Sequence, residues 1–464
     1  MKVLLVAYDN DSHISFFPLG LAYLASACRL AGHEVRIYNQ DVYHWPEEHL
    51  TNFLNNEAWD VIGVGVIGGY YQYRKLLKIS VAINNSKNRP FFVIGGHGPS
   101  PEPEYFLKKT GADAVVIGEG EETFVELLSV LETSRSFKDI SGIAFFDCDN
   151  GQFVQNKRRE LIADINRIPF PAWDLFPMEH YALARMPNIL NSQRCMIMLS
   201  GRGCKFKCNF CYRMDQGLRI RSSRSIVEEI KTLQDCYQID YFAFYDELLM
   251  NSEQRVKELC QVFLDANLKI NWECNGRLNY AKPDVLRLMK KSGCVFINYG
   301  IESMDEAALK RMNKALTVKQ IESGIRNTLM VGISPGFNII FGNIGETAQS
   351  LRMGLEFLLK YDDHSQLRTI RPVTPYPGSP LYYYAIEKGL LDGPEDFYER
   401  KHLNSDLLAV NFTDMSDDKV HRLLFEVNKK LIEKFHIDQS ERHIEAAARL
   451  YLEKNVNFRG FRDV

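Results

Sequence analysis

Two blocks of the chain alternate short apolar runs with longer amphipathic ones, and this alternation restricts the fold more than any other feature. In the first block the runs are 2–8 (KVLLVAY), 34–40 (EVRIYNQ), 60–68 (DVIGVGVIG), 90–96 (PFFVIGG) and 112–118 (ADAVVIG). They are bounded by turn residues and rich in β-branched side chains, as buried strands are. Segments of helical period separate them at 19–31, 46–58, 70–86, 102–110 and 122–132. Strands buried on both faces and joined by helices predict an α/β fold, a doubly wound parallel sheet of Rossmann-like type. Residues 142–157 read as a hairpin turning at Asp149-Asn150-Gly151. Pro169, Pro171, Pro177 and Pro187 then interrupt the periodicity.

The alternation resumes at 194. Strands are expected at 195–200, 241–246, 270–276, 294–302, 334–342 and 366–375, with helices between them such as 225–237 and 252–268. Six strand–helix units predict a partial (β/α)6 barrel whose chemistry sits on the loops after the strands. The expected organisation is an α/β unit over 1–140, a hairpin and linker over 141–190, the barrel over 191–380 and a helical region over 381–464, with helices near 417–435 and 440–454. The 464 residues suffice for two or three such units. A formal net charge of -3 gives no field that would draw the chain to nucleic acid. No apolar stretch reaches the roughly 18 residues that span a bilayer. The short apolar start, followed by Asp9 and Asp11, reads as a strand rather than a signal peptide. A cytoplasmic protein is expected.

Ten cysteines are present, most of them single and inside apolar segments, where a free thiol packs as a small hydrophobe. Cys204, Cys208 and Cys211 differ. They form C-x3-C-x2-C in the stretch 201–213 (GRGCKFKCNFCYR), just after the first barrel strand. Three thiolates on one loop can hold three corners of a cubic iron–sulfur cluster whose full complement is four, leaving one iron open to a ligand. Gly201 and Gly203 would let the loop close around the cluster, with Arg202, Lys205 and Lys207 supplying positive charge. The alternative is a structural zinc site with Cys195 as fourth ligand. It lacks the paired C-x2-C knuckles of zinc ribbons.

This spacing, with aromatic Phe210 before the last cysteine, resembles the radical S-adenosylmethionine (SAM) superfamily. The resemblance continues in chain order through FAFYDE (242–247), NWECNGR (271–277), GIES (300–303), FGNIGET (341–347) and TPYPGSPLY (374–382). It implies a [4Fe-4S] cluster on the three cysteines, with SAM chelating the open iron. The implied SAM contacts are Phe210, Glu247, Asn275, Arg277, Glu302, Ser303 and Gly342. An electron donor such as flavodoxin or ferredoxin is implied as well.

The first block resembles the cobalamin-binding domain that precedes many radical SAM barrels, through 17–41, VIGGHG (93–98) and VIGEGEETFVELL (116–128). The corrin would lie against Pro18, Leu19, Gly20, Gly95, Gly96, Gly98, Gly118, Glu119, Gly120 and Glu121. Asp11-Ser12-His13 starts the Asp-x-His-x-x-Gly pattern of methyl carriers, but Phe16 stands where glycine belongs. A cobalamin with displaced base and no histidine beneath is therefore expected, with His97 a further loop contact. The resemblance implies a cobalamin-dependent methyltransferase acting on an unactivated carbon of a small-molecule or lipid-type substrate, through a 5′-deoxyadenosyl radical and methylcobalamin. The alternatives are a non-methylating radical reaction (cyclisation, ring contraction or oxidation) and a non-enzymatic cofactor- or zinc-binding protein. Methylthiotransferases typically carry three more cysteines in the first domain; here it has only Cys28 and Cys148. The residues name no acid or base catalyst.

Overall fold

The computed structural model describes residues 1–10, 16–133, 136–183, 193–214 and 217–453. Residues 11–15, with Asp11 and His13, lie outside these. The first sheet contains β1 (Lys2–Ala7), β2 (Glu34–Asn39), β3 (Val61–Gly65), β4 (Phe91–Gly95), β5 (Ala114–Val116), β6 (Ile143–Phe146) and β7 (Phe153–Gln155), in the order β2-β1-β3-β4-β5-β6-β7. The first five pair in parallel. Val3 and Leu5 join one core with Leu21, Ala22, Phe124 and Leu127, whereas Leu4 and Val6 join another with Leu50, Leu76, Ile79 and Phe106. The strand is thus buried on both faces, which is why its sequence is apolar from Val3 to Ala7. The order reverses between β1 and β3, and ligands of such sheets bind at that switch point, beyond the carboxyl ends of the strands.

The hairpin expected at 142–157 forms β6 and β7. It pairs antiparallel onto β5 and so belongs to the first sheet rather than to a linker.

The second half contains β8 (Cys195–Met198), β9 (Gly201–Cys204), β10 (Gly217–Ile220), β11 (Tyr241–Phe244), β12 (Asn271–Gly276), β13 (Cys294–Glu302), β14 (Ser334–Phe341) and β15 (Arg371–Pro372). Six of these form a parallel sheet in the order β15-β14-β13-β12-β11-β8, the open barrel expected. Most helices between these strands start where a polar side chain caps them, and the helix Pro283–Lys291 starts instead on a proline. Ser252 accepts from the Arg255 amide at 3.1 Å, and Thr317 with Gln320 forms a reciprocal capping box.

Two expectations are corrected. The sixth strand is only two residues long, because the Ile370 amide and carbonyl bond the Asn428 side chain at 2.8 and 2.9 Å instead of continuing along β14. The two C-terminal helices are one, Asp417–Tyr451. No glycine or proline separates the two expected segments, and Gln439 and Arg442 hold the middle down on the carbonyls of His364 and Asp363. This helix packs on the helix Ala348–Tyr361 and reaches the backbone just before β15 through Asn428. Among the described residues no helix is long and apolar enough to cross a membrane.

Candidate active site

Cys204 ends one strand of an antiparallel ribbon, and Cys208 and Cys211 follow it on the loop beyond. β9 ends at Cys204, which pairs with Gly217 of β10. The ribbon explains its glycines: a Cβ at Gly201 would lie 2.8 Å from the Arg219 carbonyl oxygen, and one at Gly203 2.4 Å from that of Gly217. Close strand approach, not approach to an ion, requires them.

Asp246, at the end of β11, fixes the base of the ribbon. Its carboxylate accepts the Ser200 and Gly201 amides at 2.6 and 3.2 Å, and the Ser200 hydroxyl as well. Burial pushes its carboxyl up to about 6 against those bonds. Next to it, exposed Glu247 accepts the Gly203 amide at 2.9 Å.

Three separate elements hold the cysteine loop. Lys205 donates to the Asn251 carbonyl at 2.8 Å, Asn313 donates to the Lys207 carbonyl at 2.8 Å, and the Asn209 amide donates to Met312 O at 2.9 Å. Asn209 and Asn343 exchange side-chain hydrogen bonds at 3.1 Å. Of the residues expected to supply positive charge here, Lys205 has its ammonium on a backbone carbonyl, and Lys207 is held through its own carbonyl. Cys208 and Cys211 hydrogen bond to each other, which with the nearby Lys314 and Arg277 cations favours a thiolate at Cys208. A thiolate suits iron and zinc alike, so the choice between them rests on whether a fourth cysteine is at hand. Cys195, the fourth ligand of the zinc reading, is buried in β8 beside Glu273.

The expected SAM residues surround this loop. Asn275 donates to the Asp246 carbonyl at 2.8 Å and accepts from Asn298 at 3.1 Å, which accepts from Asn338 at 3.0 Å, so a chain of amides crosses three strands. Arg277 is buried with its guanidinium 3.5 Å from the Phe206 ring centre, and donates to the carbonyls of Lys314 and Ala315. Glu302 adopts a left-handed backbone (φ 70°) at the end of β13, and its carboxylate pairs with buried Lys314 at 2.8 Å. Lys314 also lies 5.8 Å from the Phe210 ring centre. Ser303 donates to Glu346 at 3.0 Å, and Glu346 accepts the Gly342 and Asn343 amides, each at 3.0 Å. Burial pushes the Glu346 carboxyl up to about 7. Glu346 and Asn343 lie inside the quoted FGNIGET stretch and were legible there as polar residues of a tight loop. Lys314 lies in an irregular segment with no sequence signal.

The strand ends of the first sheet are built from backbone. The Val66 amide donates to Gly95 O at 2.8 Å and the Gly98 amide to Val66 O at 3.1 Å, lacing the loops after β3 and β4 together. Gly96 has φ +99° and a Cβ there would stand 2.6 Å from the Val66 oxygen. Gly118 donates to the Ser100 hydroxyl at 3.2 Å. Gly20, in the first turn of the helix Leu19–Leu30, faces open space, and Ile67 at the end of β3 is 66% exposed. Phe16 contacts Tyr245 after β11, with ring centres 6.1 Å apart. His97 meets Tyr212, the residue after Cys211, edge to face at 5.9 Å. The two sets of strand ends therefore face each other across the cysteine loop. Glu119 and Glu121, expected beside the corrin, are instead turned into a seam of ion pairs with Arg202 and Arg219.

Comparison with known proteins settles the family. A Radical SAM superfamily profile matches residues 198–358, and a B12 binding domain profile matches residues 2–128. An uncharacterised methyltransferase of Pyrococcus horikoshii is 31% identical over 403 residues, covering 84% of each chain. The chain belongs to the radical SAM superfamily and carries a B12-binding domain. An anaerobic magnesium-protoporphyrin IX monomethyl ester cyclase of Rubrivivax gelatinosus is 26% identical over 375 residues, 79% of this chain and 65% of that protein. The structure of a radical SAM methyltransferase of Kitasatospora setae, with cobalamin and a [4Fe-4S] cluster bound, superposes with a TM-score of 0.68 over 85% of this chain and 76% of that one, at 18% identity. The first sheet is thus the B12-binding domain and the open barrel the radical SAM domain. Backbone loops that present open space at Gly20 and exposed apolar surface at Ile67 suit a broad, largely apolar macrocycle.

Proposed function

We propose that this protein is a cobalamin-dependent radical SAM methyltransferase that alkylates an unactivated carbon of a small-molecule or lipid-type substrate. The observation that carries the reading is the meeting of His97 with Tyr212, which sets the strand ends of the B12-binding domain against the loop holding Cys204, Cys208 and Cys211. When bound, the cluster with SAM supplies one-electron cleavage of a carbon–sulfur bond, and cobalamin supplies a carrier for a methyl group.

The chain's own residues bind and orient. The three cysteines would hold the cluster. Glu247, exposed and anchored through the Gly203 amide, would accept the SAM amino group. Asn275, Ser303 and Gly342 would line the nucleoside side, with Phe210 packed beside it. Arg277 and the Glu302–Lys314 pair would supply fixed charge. These groups are already hydrogen-bonded in place, so little reorganisation accompanies binding. Pro18, Leu19, Gly20, Gly95, Gly96, Gly98, Gly118 and Gly120 would form the corrin cradle. Tyr245 and Phe16, in contact across the two domains, would line the space between. We place the protein in the cytoplasm, served by a low-potential flavodoxin or ferredoxin.

The test is product analysis with methyl-deuterated SAM under anaerobic reduction. Methyl transfer requires S-adenosylhomocysteine and 5′-deoxyadenosine to appear together, with label in the product. 5′-Deoxyadenosine without S-adenosylhomocysteine would favour ring closure, the chemistry named for the Rubrivivax relative.

A further inference from the structure

We propose that Glu119, Glu121, Arg202 and Arg219 form a clamp that fixes the cysteine ribbon against the B12-binding domain, so that Glu119 and Glu121 are positioning residues rather than corrin contacts. Arg202 and Arg219 are direct partners in the register of the ribbon. Two like charges facing each other oppose pairing, so the ribbon needs an outside anion. Glu119 supplies it to both. Arg202 Nη1 donates to Glu119 Oε1 at 2.7 Å, and Arg219 Nη1 reaches both Glu119 oxygens at 2.9 and 2.8 Å. Arg202 Nη2 continues to Glu121 Oε1 at 2.5 Å. The Ile162 amide donates to Glu119 Oε2 at 3.1 Å, while Arg219 donates to the Ile162 carbonyl at 2.9 Å.

The set contains two cations and two anions, and the Glu119 side chain is only 6% exposed. Neutrality and multiple bonds are what a buried charge group needs to persist. Both Glu119 oxygens take donors from the protein, so the carboxylate is engaged before any cofactor arrives. Cys204 lies two residues beyond Arg202 on β9 and pairs with Gly217, two residues before Arg219 on β10, so it shares the register that the arginine pair sets. Whatever fixes the arginine pair therefore fixes the first cysteine. The consequence for turnover rests on the cobalamin reading; the clamp itself does not.

The test is hydrogen–deuterium exchange on the full-length, cofactor-free chain. In Glu119→Gln, amides of 201–204 and 217–220 should exchange roughly tenfold faster or more, while those of 241–244 stay unchanged. Glu119→Gln combined with Arg219→Gln should add little to either single change, because the groups act as a unit. Arg202→Lys keeps the charge but cannot bridge Glu119 and Glu121, and should show a smaller acceleration confined to the same ribbon. It serves if Glu119→Gln does not fold. Cobalamin affinity should match wild type in the folded variants, and in loaded enzyme S-adenosylhomocysteine should fall relative to 5′-deoxyadenosine. Unchanged ribbon exchange, or lost cobalamin affinity with the ribbon unmoved, would overturn the clamp. A wild-type chain that binds no cobalamin would defeat the methyltransferase reading and leave the exchange result standing.

Discussion

The two parallel sheets end in loops of opposite character. At the barrel, buried ionisable groups crowd the strand ends: Asp246, Arg277, Glu302, Lys314 and Glu346, each with a partner. At the B12-binding domain the loops after β3 and β4 are laced by backbone hydrogen bonds and spaced by glycine, with an apolar side chain exposed between them. The contrast follows from what each must hold. A small anionic cluster and a charged sulfonium call for charges fixed at short range. A preformed macrocycle calls for shape and backbone donors. One end is therefore sensitive to charge and the other to volume.

Substitutions at the two ends should therefore separate an effect of charge from an effect of volume. Cys208→Ala should abolish the iron–sulfur signal and SAM cleavage while cobalamin still binds, as read by iron analysis and absorption spectra; loss of both cofactors together would deny that the two ends are separable. Lys314→Met leaves the Glu302 carboxylate buried without its cation and should cost about 3–5 kcal/mol in denaturant unfolding. Gly96→Ala puts a Cβ against the Val66 oxygen in a left-handed backbone. It should cost about 1–3 kcal/mol and weaken cobalamin more than SAM, checked by titrating each. If Gly96→Ala instead lowers SAM affinity first, volume is not what the first sheet controls.

Glu346→Gln sharpens the charge side. The folded carboxyl titrates near 7, above its ordinary value of 4.5. Between those values the folded state holds a proton the unfolded state has lost, so stability falls as pH rises through this window and is flat above it. The contribution reaches about 3 kcal/mol at most. Glutamine mimics the protonated acid, so the difference between variant and wild-type melting curves should grow from pH 4.5 to 7 and then level. Asn428→Ala, remote from both ends, should cost only about 1–3 kcal/mol by stranding the Ile370 backbone, with both cofactors still bound.

Much of this architecture was legible in the sequence because periodicity reports burial. Uniformly apolar runs such as KVLLVAY mark strands covered on both faces, and β1 is covered on both. The three cysteines were legible because thiolates at that spacing have few other uses. What stayed hidden depended on partners distant in the chain. Asn428 ends the sixth strand 58 residues away. Glu119 reads as a loop acid until Arg202 and Arg219 are brought to it, 83 and 100 residues on. Gly201 and Gly203 stand out in the sequence, but their reason lies in a ribbon whose second strand, GLRI, is too short to show a period.

In the proposed enzyme three cysteines hold a cluster with one iron open to SAM, facing a cobalamin held by the first sheet. The most direct measurement is the electron paramagnetic resonance spectrum of anaerobically purified protein, reconstituted with iron, sulfide and cobalamin, with and without SAM. A reduced [4Fe-4S] signal that shifts when SAM is added, together with the lines of base-off cob(II)alamin, is the expected result. Zinc in place of a cluster, and no signal that responds to SAM, would contradict it.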